Sequence, residues 1–165
     1  MPEKKTIERA REDAREGKSP STQAGEFVRE EMDHIREGKH GARSTKQAIA
    51  IGLSKARRAG VDLPPPKEGK ASNRTRSKAA RDYERGGVRS SRKALPRRSR
   101  ATTAALKREG SKAASRTSLS RQARETARAR GSVARRRSAE KAVRTKGDAG
   151  LRRAARKAAR TRAAR

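Results

Sequence analysis

The chain has 165 residues, with 48 Lys+Arg against 18 Asp+Glu and a formal charge of +30. It has no cysteine and two histidines, which excludes disulfides and thiolate metal sites. No run of 18 apolar residues occurs, and Met1 to Lys5 opens without the apolar stretch of a secretory signal, so neither a membrane span nor export is expected.

The charge is sharply segregated. Residues 1–66 hold 14 basic and 11 acidic groups, whereas residues 67–165 hold 34 and 7. A segment that repels itself this strongly calls for a polyanion, and nucleic acid is the abundant one.

In chain order, Glu3 to Glu16 reads as a weak, highly charged helix with a thin stripe of Ile7, Ala10 and Ala14. Ser19-Pro20 then reads as a cap and a first helical position. The helix they open carries Phe27, Val28, Met32 and Ile35 on one face and stops near Gly38. Its outer face is expected to be acidic, with Glu26, Glu30, Glu31, Asp33 and Glu37. His34 and His40 fall in no recognisable ligand pattern, so no metal site and no cofactor are expected.

Ser44 and Gln47 form a capping-box pair for the next helix. Ala48, Ile49, Ala50, Ile51, Leu53 and Ala56 make that helix apolar almost all round, which predicts a buried element. Ala48, Gly52 and Ala56 recur every four residues and would let a neighbouring backbone come close. Gly60 suits a left-handed close, with Val61 folding back onto Ala56. The two helices superficially resemble a helix-turn-helix with Ser44 to Gln47 leading the recognition helix, but the second is too apolar to lie in a groove. A milder possibility is that Lys39 to Arg43 and the helix start at Ser44 hold a phosphate.

Pro64-Pro65-Pro66 is a stiff spacer and the natural boundary. Beyond it only seven aliphatic side chains larger than alanine and one aromatic, Tyr83, are available, too few for a packed core. Residues 67–165 are therefore expected to be disordered when free, in helix-prone Ala/Arg/Ser pieces punctuated by Gly86, Gly87, Pro96, Gly110, Gly131, Gly147 and Gly150.

Three arginine clusters are the candidate nucleic-acid contacts. Arg97, Arg98 and Arg100, and then Arg135, Arg136 and Arg137, read as phosphate clamps, because the guanidinium fork grips phosphate oxygens in pairs. Arg152, Arg153, Arg156, Lys157 and Arg160 recur at helical spacing against Ala154, Ala155, Ala158 and Ala159. Cations four apart repel, so phosphates would induce that helix. With Phe27 assigned to the core, Tyr83 alone could stack a base, which disfavours single-strand readout. No catalytic constellation has a rigid scaffold, and no enzyme activity is expected.

Ser44-Thr45-Lys46-Gln47-Ala48-Ile49-Ala50-Ile51-Gly52-Leu53-Ser54 and the preceding Gly38-Lys39-His40-Gly41 resemble a small bacterial domain family of unknown function, over residues 20–63. Members often carry DNA-binding or plasmid-stabilisation labels, so the resemblance implies a bacterial protein with a nucleic-acid connection. The tail separately resembles the C-terminal arms of bacterial histone-like and linker-histone-like proteins, although here arginine outweighs lysine and proline is scarce.

The sequence thus predicts an all-α protein: a small helical module (1–63), a proline spacer (64–66) and a basic disordered or helix-prone tail (67–165). The expected function is non-specific nucleic-acid binding, DNA above RNA, in a cytoplasmic, nucleoid-associated role. RNA or ribosome association is the alternative. A third reading makes residues 20–63 a homodimer or protein-partner surface, as in an antitoxin or adaptor, merely localised by the tail.

Overall fold

Local signals set most helix ends. Ser44 Oγ accepts the amide of Gln47, and Gln47 reaches back to the amide of Arg43, one residue short of the expected Ser44. Gly17, Gly38 and Gly60 take positive φ at the ends of their helices. At Gly60 (φ 90) the amide of Val61 returns to the carbonyl of Ala56, closing α3 as a Schellman turn.

The computed structural model describes residues 2–87 and 96–164, with side chains over 2–86 and 100–164. Its helices are α1 (Lys4–Arg15), α2 (Pro20–Arg36), α3 (Thr45–Arg58), α4 (Asn73–Gly87), α5 (Pro96–Lys107) and α6 (Arg116–Ala163), with a 3₁₀ turn at Ser111–Ala114. No strand occurs among the described residues. The chain divides into two units, Met1–Ser120 and Arg121–Arg165.

The first unit packs around α2. On one side Ala10, Ala24, Phe27, Ala56 and Val61 form a buried cluster, bordered by Ile7, Leu53 and Leu63. On the other, Met32, Ile35, Ala42 and Ala48 pack with Ala113 and Ala114, and Leu119 closes the edge. Helix α3 meets α2 through its small residues, as the four-residue spacing predicts. A Cβ on Gly52 would stand 2.7 Å from Val28 Cα, and Ala48 and Ala56 are fully buried. Because the small stripe takes the closest approach, Ile49, Ile51 and Leu53 are only half-buried and Ala50 is exposed. Helix α3 is therefore buried along one stripe rather than all round.

The prolines lie inside this unit. Buried Arg57 donates to the carbonyls of Leu63 and Pro64, which fastens the spacer against α3. Helix α4 then packs back onto α3: Ala79 and Asp82 are buried, Ser54 Oγ donates to Asp82 at 2.7 Å, and Tyr83 donates to Asp62. Thr45 Oγ1 donates to the Ala113 carbonyl at 2.7 Å, and Arg36 Nε to that of Ala114. Counting only side chains larger than alanine left no core beyond Pro66. Ala79, Ala113 and Ala114 supply one, because helices that approach closely bury methyl groups completely.

The second unit differs in kind. No residue of α6 is buried, and its backbone leaves helical geometry at Gly131 (φ 73) and Gly147 (φ 58). Gly150, also expected to interrupt, stays within the helix. A packed core is absent here, as the composition implies, and the segment is helical rather than coil. Among the described residues no helix is long and apolar enough to cross a membrane.

Candidate functional site

The arginine clusters are dispersed over two helices. The side chains of Arg97 and Arg98 lie outside the described residues. Arg100 is exposed on α5 and interacts within the chain. Arg135, Arg136 and Arg137 are exposed on α6, where Arg135 Nε turns back to the Gly131 carbonyl and Arg136 pairs with Glu140 at 3.1 Å. Such an exposed pair four residues apart contributes only tenths of a kcal/mol, so Arg136 stays available. Arg152, Arg153, Arg156, Lys157 and Arg160 are all exposed on the last stretch of α6. Across residues 121–165 stand 17 Lys+Arg against Glu125, Glu140 and Asp148.

Three of the amides expected to hold a phosphate just before α3 are occupied from within. The amides of Gly41 and Ala42 bond to the carbonyls of Leu106 and Gly110, and the amide of Arg43 to Gln47. A side chain at Gly41 would collide with the carbonyl of Glu109. Thr45, at the head of the supposed recognition helix, is buried against Ala113. The amides of Gly41, Ala42 and Arg43 are thus not free to hold a phosphate, and Thr45 is not free to reach a groove.

A cluster that the local sequence pattern does not announce lies between α1, α2 and α3. Glu30 and Glu31, expected on an acidic outer face, point inward and are both buried. Lys55, near the end of α3, places its ammonium 3.2 Å from Glu30 Oε1 and 2.7 Å from Glu31 Oε2. Glu30 Oε2 accepts the amide of Glu3 at 3.1 Å. Burial alone would raise the Glu30 carboxyl, but bonds from Thr6, the Glu3 amide and Lys55 outweigh it and hold the group below its ordinary range.

Both histidines join this cluster. His40 Nε2 faces Glu31 Oε1 at 3.4 Å, while His40 Nδ1 lies 3.2 Å from the Gly41 carbonyl. His34 Nε2 bonds to Glu3 Oε1 at 2.8 Å, and its Nδ1 faces Glu30 Oε1 at 4.0 Å. The two rings meet edge to face with centroids 6.2 Å apart. Glu31, His34 and His40 thereby bring three ligand-type atoms within 4.8 Å of one another. Although Lys55 and His40 stand close, neither oxygen of fully buried Glu31 accepts a directed hydrogen bond. The one signal in the sequence was Glu31 and His34 one turn apart on a helix, with His40 just past the turn at Gly38.

Residues 17–68 match the model of a family of unknown function (DUF6496). The chain therefore carries a small domain of unknown function, as the resemblance suggested, and that domain holds Glu30, Glu31, His34, His40 and Lys55 but none of the arginine clusters. No curated protein and no solved structure matches the chain.

Proposed function

We propose that the protein binds nucleic acid without sequence specificity, DNA by preference, through residues 121–165 and the arginines of α5. The observation that carries this reading is α6: no buried residue, exposed cations along its length, and breaks at Gly131 and Gly147. Three carboxylates against 17 cations offset little of the repulsion within that unit, so a polyanion is the partner that would relieve it. Segments of about four helical turns between glycine breaks can follow a curved phosphate backbone. A nucleoid-associated, histone-like role follows from binding of that kind.

The protein-partner alternative rests on residues 20–63, where the acidic groups expected on the outer face of α2 would be the docking charges. With Glu30 and Glu31 turned inside, that face is reduced to Glu26, Asp33 and Glu37, and of these Glu26 pairs with Arg9 and Asp33 with Arg36. Nucleic-acid binding is the better-supported reading, with the first unit free to carry a separate contact.

Fluorescence anisotropy with duplex DNA over a salt series tests it. If 6–10 phosphates are engaged, affinity should fall by roughly 10³–10⁵ between 50 and 200 mM salt. Competition by duplex RNA at one salt concentration separates the two nucleic acids. A flat salt response would refute the proposal.

A further inference from the structure

We infer that Glu31, His34 and His40 form a binding site for a divalent transition-metal cation of the zinc class. This goes beyond the nucleic-acid reading and does not depend on it. Two imidazoles and one carboxylate are a donor set for zinc, cobalt or nickel, leaving a further position for water.

The rings are held as metal-ligating histidines are held. With His34 Nε2 donating to Glu3 Oε1 at 2.8 Å, the lone pair of its Nδ1 turns into the cluster. With His40 Nδ1 donating to the Gly41 carbonyl, the lone pair of its Nε2 faces Glu31 Oε1. An oxygen acceptor on the outer nitrogen of each ring fixes the tautomer and raises the basicity of the inner one. Glu31 is divided in the same way: Lys55 occupies Oε2 at 2.7 Å, which leaves Oε1 for a single bond to metal. Metal–ligand bonds of about 2.0–2.2 Å set tetrahedral ligand atoms about 3.3–3.6 Å apart. Glu31 Oε1 and His40 Nε2 already stand at 3.4 Å, and the full set lies within 4.8 Å, which small side-chain rotations can close.

Charge points the same way. Glu3, Glu30 and Glu31 bring three negative charges to the cluster and Lys55 one positive charge. Lys39 also reaches Glu3 at 3.4 Å, but it sits closer to Glu37, at 2.9 Å, and balances that group. A divalent cation between neutral imidazoles leaves the cluster neutral. Glu31 Oε1, the oxygen turned to the site, accepts no directed hydrogen bond in its buried position, which is costly without a cation.

The composition makes the test clean, because the chain has no cysteine, only these two histidines, and a net charge that repels stray cations. The full chain is titrated with cobalt chloride, followed by visible absorption, and with zinc chloride by calorimetry. One cation per chain should bind, with intense four- or five-coordinate cobalt bands that zinc displaces and a raised melting temperature. His34→Ala and His40→Ala should each abolish the bands while keeping the helical circular-dichroism spectrum. Glu3→Gln should weaken binding by about 10- to 100-fold, as loss of an outer partner does. No binding at millimolar cobalt, or unchanged bands in the double His→Ala variant, would overturn the inference. If the double variant unfolds, nitrogen-15 spectra of the wild-type imidazoles decide. Zinc must shift the inner nitrogen of both rings, and unshifted rings sink the site.

Discussion

Arg57 and Arg152 are the same residue in two different kinds of surroundings. In the first unit Arg57 is buried, bonded to two carbonyls of the proline segment, and its guanidinium is pulled below its ordinary range by burial, with Asp82 opposing. In the second, Arg152 stands exposed on a helix with nothing buried. The first unit also pairs Arg9 with Glu26, Lys55 with Glu30 and Glu31, and Arg58 with Asp82. Basic residues act as structural bonds where carboxylates or carbonyls of remote segments meet them, and stand exposed where none do. The chain's charge is therefore held in two ways: residues 1–120 carry 31 Lys+Arg and 15 Asp+Glu, with a paired population inside the fold, whereas residues 121–165 carry 17 and 3 on an exposed helix.

The difference between the units is tested first at the core. Phe27→Ala, at one of the largest fully buried side chains, should cost about 3–5 kcal/mol and unfold the first unit, read by thermal circular dichroism. The salt dependence of DNA binding should persist in that variant. If both properties disappear together, the two units do not act separately. Ile49→Ala should cost less than Phe27→Ala, since Ile49 is only half-buried.

Lys55→Met should come next. Truncating one partner of a buried charge set leaves Glu30 and Glu31 facing each other, which typically costs about 3–5 kcal/mol at full burial and less where water reaches the edge. Chemical denaturation checks it, and a destabilisation under about 1 kcal/mol would place the two carboxylates at the surface after all.

Which of these features could be read beforehand depended on sequence distance. The Ser44–Gln47 cap, the Gly60–Val61 close and the Ala48–Gly52–Ala56 stripe were legible, because each is written within a turn or two of helix. The inward turn of Glu30 and Glu31 was not, because their partners Glu3 and Lys55 lie more than 20 residues away in either direction. Gly41 and Gly86 were unread for the same reason: each fits only because a remote backbone, at Glu109 or Arg57, passes against it. Ala113 and Ala114 looked like tail composition, and only their packing with Met32, Ile35 and Ala42 makes them core.

The second unit answers to charge rather than to packing. Replacing Arg152, Arg153, Arg156, Lys157 and Arg160 by Gln in the full chain should flatten the salt dependence of DNA binding, by about 0.9 in log–log slope for each phosphate no longer neutralised. The melting temperature of the first unit should not move. An unchanged slope would shift the interface to Arg100 and the arginines around Arg136.

The smallest effect concerns how far the paired population of charge extends past the prolines. Tyr83 is the chain's only tyrosine, so its phenolate absorbance reports α4 alone. Its hydroxyl donates to Asp62, and that bond, together with the carboxylate's charge, raises the phenol above its ordinary value of 10. A group whose folded value is raised stabilises the fold fully below the unfolded value and loses that contribution as pH rises through the folded one. The docking of α4 should therefore be intact at neutral pH and weaken above pH 10. A spectrophotometric titration should give a midpoint above 10 in the wild type and a lower one in Asp62→Asn, where the charge is gone. Equal midpoints would mean that Tyr83 does not hold α4 to the end of α3, leaving Asp82 and Ala79 to carry the packing.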